Sequence, residues 1–394
     1  MVEKKHEAAR PSAAFDLFFQ MFEEPWRAWR RMLAAPGVVA SALRPRDAAT
    51  PSRVLLREGT HTLLHYPRRT PATQAEPVLL CYALVNRPYI LDLERERSVV
   101  RRYLDAGFEV YMIDWGVPTY ADRGLTLAHY VRGFLAKSVD AVLRRHARPD
   151  LHLLGYCMGG TMATMHAALE PASVKTLTLL AAPIDFSGRA SLLNLWTRPE
   201  TFDVDGFLAV HGNAPAWFLQ SCFLAMSPVR NFVEKPIAFW EHMDDRKSVE
   251  SALALERWLN DNIPVAGATF RQFVQDLYQR NRLVRGEVVL DGRRVDLSRI
   301  TCPLLLLTAG SDHLVAPEAT EGIRPYVGSR DVQSMSSRAG HVGLVVGGGA
   351  HEKLWPQVTR WAAERSTSTS TSTSPAALPP INQPDTRALS ARME

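Results

Sequence analysis

One cysteine stands where covalent chemistry is easiest to build: Cys157, at the centre of Gly155-Tyr156-Cys157-Met158-Gly159. The apolar run Leu151-His152-Leu153-Leu154 before it reads as a strand, and Met158 to Leu169 after it reads as a helix. Glycines on both sides let the chain turn sharply, exposing the central side chain at the top of a sheet and at a helix N-terminus. There the helix dipole and the free N–H groups favour a thiolate. The pattern predicts an enzyme that works through an acyl-cysteine.

A thiol nucleophile needs a base to take its proton, and the base needs an acid to hold its tautomer. Chains of the α/β-hydrolase type carry these in the order nucleophile, acid, histidine, each on a loop after a late strand. Asp312 follows the run Cys302 to Thr308 through Ala309-Gly310-Ser311, and His341 sits in Ala339-Gly340-His341-Val342-Gly343. Asp312 is the candidate acid and His341 the candidate base. His351 competes for the base, but its place at the start of the final helix predicts a surface position. His313 is a further candidate for base or substrate contact, although adjacent side chains usually point apart. Asp114 and Asp185 end strands and read as turn or capping residues. Oxyanion donors are expected from the backbone N–H of Met158 and from the loop after the third strand at Val85, with Asn86 beside it a candidate for binding substrate. Asn86-Arg87-Pro88-Tyr89 stands where lipases carry a glycine-rich loop.

The elements needed to hold these groups alternate along the chain. Strands are predicted at Val78 to Leu84, Glu109 to Asp114, Leu151 to Tyr156, Thr176 to Ala181, Cys302 to Thr308 and Asp331 to Met335. Helices are predicted at Glu94 to Asp105, Leu127 to Arg145, Met158 to Leu169 and Trp355 to Glu364. This rhythm predicts an α/β-hydrolase fold, a mostly parallel sheet with helices on both faces. Residues 51–185 and 300–365 form its catalytic core; residues 186–299, rich in Trp, Phe and Met, form an inserted, mainly helical cap. Most of the cap's aromatic side chains are expected to pack its own core and a minority to line an acyl channel. Residues 1–50 carry an amphipathic aromatic stripe, Phe15, Phe18, Phe19, Phe22, Trp26 and Trp29, suited equally to packing on its own domain or to a partner or hydrophobic surface. Residues 366–394, opening with a Ser-Thr repeat, lack the apolar content to fold and are expected to be disordered.

Composition excludes several classes. The charge of +5 is dispersed, with no basic block of the kind that binds nucleic acid. It suits an acidic ligand such as a coenzyme A ester, and equally a plain arginine-rich surface. Cys81, Cys157, Cys222 and Cys302 lack the paired spacings of a metal or redox site, so no metal and no disulfide are expected, and the other three cysteines read as small buried hydrophobes. The start, Met1 to Glu7, has no apolar signal core, and no run approaches the ~18 apolar residues of a membrane span. A cytoplasmic protein is the expectation.

Taken together, Gly155 to Gly160, Leu84-Val85-Asn86-Arg87-Pro88-Tyr89, Tyr111 to Gly116, Gly310 to Val315 and Gly340 to Gly343 resemble the polyhydroxyalkanoate synthases over residues 55 to 365. The short N-terminal region is similar to the class III or class IV catalytic subunit. The resemblance implies polymerisation of (R)-3-hydroxyacyl-CoA, usually short-chain, into an intracellular polyester with release of coenzyme A. It implies no cofactor beyond coenzyme A as part of substrate and product. It also implies a second synthase subunit, a homodimer or hetero-oligomer, and association with polymer granules. Two other readings stand beside it: a Cys-dependent hydrolase or thioesterase using water, and a granule-surface protein without chemistry.

Overall fold

Arg53–Glu58 (β1) and His61–Tyr66 (β2) form an antiparallel hairpin closed by Gly59-Thr60, with Gly59 at φ 56°. This hairpin was not among the predicted strands, yet its two apolar runs about a two-residue Gly turn are a hairpin signature. The computed structural model describes residues 50–68, 72–188, 192–227 and 234–367. The aromatic stripe of residues 1–49 and the chain beyond Thr367 lie outside the described residues.

Six further strands complete the main sheet: Val78–Cys81 (β3), Val110–Asp114 (β4), Leu151–Tyr156 (β5), Val174–Leu180 (β6), Leu304–Ala309 (β7) and Val332–Ser337 (β8). Their order across the sheet is β1-β2-β4-β3-β5-β6-β7-β8. The pairings from β4 to β8 are parallel, and β2 joins β4 antiparallel. Parallel strands covered on both faces read as continuous apolar runs, and β5 and β7 are buried at every residue. Successive side chains alternate between faces. Leu79, Leu153, Leu177 and Leu306 join one buried cluster, while Leu80, Leu154, Leu180 and Leu305 join the other. This is the α/β-hydrolase fold.

The helices differ from expectation in detail. The segment predicted as a helix from Glu94 instead opens with a short antiparallel pair, Asp92–Glu94 against Arg97–Ser98, and only Val99–Asp105 is helical. Ser98 is the cause, since its hydroxyl accepts from Arg101 N at 3.0 Å and sets the helix start there, a cap worth about 1 kcal/mol. The helix predicted over Leu127 to Arg145 is a π-helical turn at His129–Leu135 continued by Ala136–His146. Met158–Leu169 is helical throughout and buried from Gly159 onward, as the central helix of such a fold must be. Trp355–Ala363 closes the described chain, preceded by a π-helical turn at Ala350–Leu354.

Between β6 and β7 lie the helices Leu192–Trp196, Val204–His211, Ala216–Ala225, Lys235–Glu241, Arg246–Asn260 and Gly267–Gln272, the last continued by Phe273–Gln279. Phe207 and Phe218 lie 4.6 Å apart by ring centroids, and Phe202 stacks on Phe218 at 5.9 Å. These rings fill the interior of the helical segment. Trp217 remains 62% exposed.

At the opposite end of the sheet, the buried carboxylate of Glu76 accepts from Ser366 Oγ at 2.6 Å, Thr367 N at 2.7 Å and Thr367 Oγ1 at 2.9 Å, and also from Arg148. Burial alone would raise its pKa, but these hydrogen bonds outweigh it and bring it down to about 2. Residues 366 and 367, assigned from composition to the disordered tail, are therefore anchored. A carboxylate 290 residues before the first of them gives no local sign that it will hold them.

Candidate active site

Cys157 follows β5 directly in the left-handed half of backbone space, at φ 55° and ψ −128°, and caps the helix that follows. A non-glycine residue there costs on the order of 1–3 kcal/mol and persists only where its surroundings enforce it. They do so through the flanking glycines. A Cβ on Gly155 would meet Gly160 Cα at 2.4 Å, and one on Gly159 would lie 2.2 Å from the Cys81 carbonyl oxygen. The turn thus packs backbone against backbone. Gly159→Ala is expected to lower stability by about 3 kcal/mol, measured as the denaturant midpoint against the parent protein.

Asp312 follows β7 and His341 follows β8, so both reach the carboxyl end of the sheet where Cys157 stands. His341 Nδ1 lies 2.7 Å from Asp312 Oδ2, and the Asp312 carboxylate is fully buried. Its other oxygen accepts from Leu314 N at 2.8 Å and Val315 N at 2.9 Å. With both oxygens engaged, Asp312 is a fixed acceptor that pins the His341 ring. Burial alone would lower the His341 pKa. The nearby Cys157 sulfur and the hydrogen-bonded Asp312 carboxylate reverse this and raise it to about 10. The ring is further held by Tyr156, which stacks on it at 5.0 Å and donates its hydroxyl to the His341 carbonyl at 3.2 Å.

The other candidates fall in different places. Met158 is the first residue of the helix after Cys157, where an N–H has no intrahelical acceptor. Val85 and Met158 both pack against the buried cluster that contains Cys157. Asn86, at φ 60°, donates its Nδ2 to the Trp258 carbonyl at 3.3 Å, and Trp258 Nε1 donates back to the Arg87 carbonyl at 2.7 Å. This reciprocal pair ties the Val85-Asn86-Arg87 loop to the helix Arg246–Asn260. His313 is exposed while its neighbour Asp312 is buried, so the two side chains diverge.

His351 is a correction. It is buried, not on the surface, because Nε2 donates to the Val345 carbonyl at 2.6 Å and Nδ1 accepts from Arg102 Nε at 3.2 Å. It braces the short helix Gly343–Val346 that follows His341. Asp114 and Asp185 accept from backbone N–H groups two residues on, Gly116 and Ser187, each at 2.9 Å. Burial raises the thiol pKa of Cys81, Cys222 and Cys302, the last to about 12, which keeps them protonated. Sequence reasoning missed Tyr156, Trp258 and Tyr278 as contributors. Tyr156 was visible beside Cys157, whereas Trp258 stands 172 residues from its partner and carries no local signal.

Among the described residues no group of His, Cys, Asp and Glu is arranged to hold a metal, and no helix is long and apolar enough to cross a membrane. What the arrangement offers is a cysteine at the strand-to-helix turn, with a nearby imidazole whose Nδ1 is fixed by a buried carboxylate.

Residues 76–339 match the family model described as alpha/beta hydrolase fold, and residues 45–104 match that of the poly-beta-hydroxybutyrate polymerase (PhaC) N-terminus. The poly(3-hydroxyalkanoate) polymerase subunit PhaC of Haloferax mediterranei is 40% identical over 375 residues, covering 95% of this chain and 76% of the relative. That of Allochromatium vinosum is 37% identical over 318 residues, covering 80% of this chain and 89% of the relative. With a thiol at the elbow of the fold and relatives so named along nearly its whole length, this chain belongs to the poly(3-hydroxyalkanoate) polymerase PhaC family.

Proposed function

We propose that the chain polymerises (R)-3-hydroxyacyl-CoA, of short chain length such as 3-hydroxybutyryl-CoA, on the triad Cys157, His341 and Asp312. The observation that carries the reading is the 2.7 Å contact of His341 with Asp312, with Cys157 close enough to the ring to raise its pKa, in a chain of this family. His341 takes the Cys157 proton, and the thiolate attacks the thioester carbonyl. The N–H groups of Met158 and Val85 receive the developing negative oxygen. The bond from carbon to the coenzyme A sulfur then breaks, and the imidazolium returns its proton to the departing thiolate. An acyl-cysteine remains.

For elongation His341 removes the proton of a hydroxyl, the alkoxide attacks the acyl-cysteine, and the Cys157 sulfur leaves as thiolate. A thioester donor makes this downhill, because an oxygen ester replaces it. No cofactor enters; coenzyme A arrives and leaves with the substrate. In the cell the reading includes a cytoplasmic location at the surface of polyester granules. It also includes a second subunit, in a hetero-oligomer or a homodimer of this chain.

The test is incubation of purified protein with 3-hydroxybutyryl-CoA. Insoluble polyester with stoichiometric coenzyme A supports the reading, and soluble 3-hydroxybutyrate without polymer replaces it with a hydrolase. Asp312→Asn keeps the shape of the acid but offers His341 an uncharged and ambiguous partner. It is expected to lower kcat for coenzyme A release by roughly 10³-fold or more.

A further inference from the structure

A cavity of about 190 Å³ lies against the turn that follows Asp312. Its walls come from three elements: Pro183 and Phe186 after β6, Tyr278 in the π-helical turn Phe273–Gln279, and Leu314, Val315 and Ala319 after Asp312. The turn that presents two N–H groups to Asp312 is therefore also a wall of the cavity. Most polar groups around it are already engaged. Asp185 accepts from Ser187 N at 2.9 Å and Asn281 Nδ2 at 2.8 Å, and Asn194 Nδ2 donates to the Phe186 carbonyl at 2.6 Å. Glu318 is exposed at the rim.

Tyr278 differs. Its ring is held edge-on by Phe186, with centroids 4.8 Å apart at 71°. Among the described residues its hydroxyl has no hydrogen-bond partner. Burial pushes that hydroxyl well above the ordinary tyrosine range, so it remains a donor. Tyr278 thus lines the same cavity as the turn whose N–H groups hold Asp312.

An apolar cavity of ~150 Å³ accepts a benzene ring, which has six heavy atoms. The present one is slightly larger. We propose that it receives the acyl unit carried by Cys157, that Tyr278 donates a hydrogen bond to the 3-oxygen of that unit, and that Phe186 limits its length. The size fits a hydroxyacyl group of about four or five carbons and excludes a medium-length tail. This assignment rests on the polymerase reading and adds to it a site and a length limit.

The test compares coenzyme A release from 3-hydroxybutyryl-CoA and 3-hydroxyhexanoyl-CoA. Tyr278→Phe is expected to lower kcat/KM for the four-carbon substrate about tenfold, with an unchanged melting temperature and an unchanged rate of Cys157 alkylation by iodoacetamide. Phe186→Ala is expected to raise the ratio of six- to four-carbon kcat/KM roughly tenfold or more. Ala319→Val, which narrows the cavity from the other wall, is expected to move that ratio the opposite way and serves if Phe186→Ala does not fold. Wild-type protein that makes polymer while the chain-length ratio stays constant across these variants, and Tyr278→Phe stays within twofold of it, overturns the cavity assignment and leaves the polymerase intact. Wild-type protein that releases no coenzyme A from either substrate overturns both.

Discussion

Cys157→Ala is expected to lose coenzyme A release from 3-hydroxyacyl-CoA by roughly 10⁴-fold or more, the scale seen when a nucleophile is removed from an acyl-transfer triad. The loss should fall on kcat and leave the melting temperature close to that of the parent protein. Alanine retains the Cβ that the turn already accommodates, and the flanking glycines that set the turn are untouched. Removing the thiolate also removes the charge that holds the His341 pKa up, so the ring in the variant should titrate far closer to the ordinary histidine value than about 10. An NMR titration of His341 in both proteins measures this. Full polymerising activity in Cys157→Ala would refute the assignment, and an unchanged His341 titration would refute the ion pair.

The second large effect concerns acid. His61, His146, His152, His166 and His351 are each held by burial at a pKa of about 4, below the ordinary 6.5. Each sits in a setting built for the neutral ring. His61 pairs with Ser138 Oγ at 2.8 Å, His146 with Tyr111 Oη at 2.8 Å and His152 with Thr176 Oγ1 at 2.8 Å. A proton on His351 Nδ1 would face the Arg102 donor that this nitrogen now accepts from.

Because the folded values are depressed, the stability they confer is whole above pH 6.5 and drains away as pH falls from 6.5 towards 4, where the unfolded chain binds the protons first. One proton corresponds to about 1.4 kcal/mol per pH unit, and five together approach about 7 kcal/mol per unit. Against a total stability of about 5–15 kcal/mol, unfolding is expected near pH 5. His341 acts in the other direction. Its raised value adds stability that is full below 6.5 and lost as pH climbs through about 10. Denaturant titrations across pH measure the slope. A slope in the acid range below one proton, or one unaltered in His351→Gln, would contradict this account.

The chain order Cys157, Asp312, His341 was legible because each follows a strand through a glycine-bearing loop, and the fold brings His341 and Asp312 within 2.7 Å of each other. The central sheet was legible for the same reason: runs such as Leu304 to Leu307 have no other use. What escaped was long-range. His351 looked superficial because its own surroundings, His351-Glu352-Lys353, are polar; the partners that bury it, Arg102 and Val345, belong to other elements. Helix starts shifted where a single hydroxyl, as at Ser98, decided between a strand and a turn. The alternation of apolar residues cannot report which aromatic side chain of the segment between β6 and β7 turns inward, and Tyr278 looks no different there from Phe273 or Phe270.

Glu76 lies two residues before β3, whereas Cys157 stands past the far end of the parallel neighbour β5. The grip on Ser366 and Thr367 therefore makes the chain depart from the side of the molecule remote from the reactive sulfur.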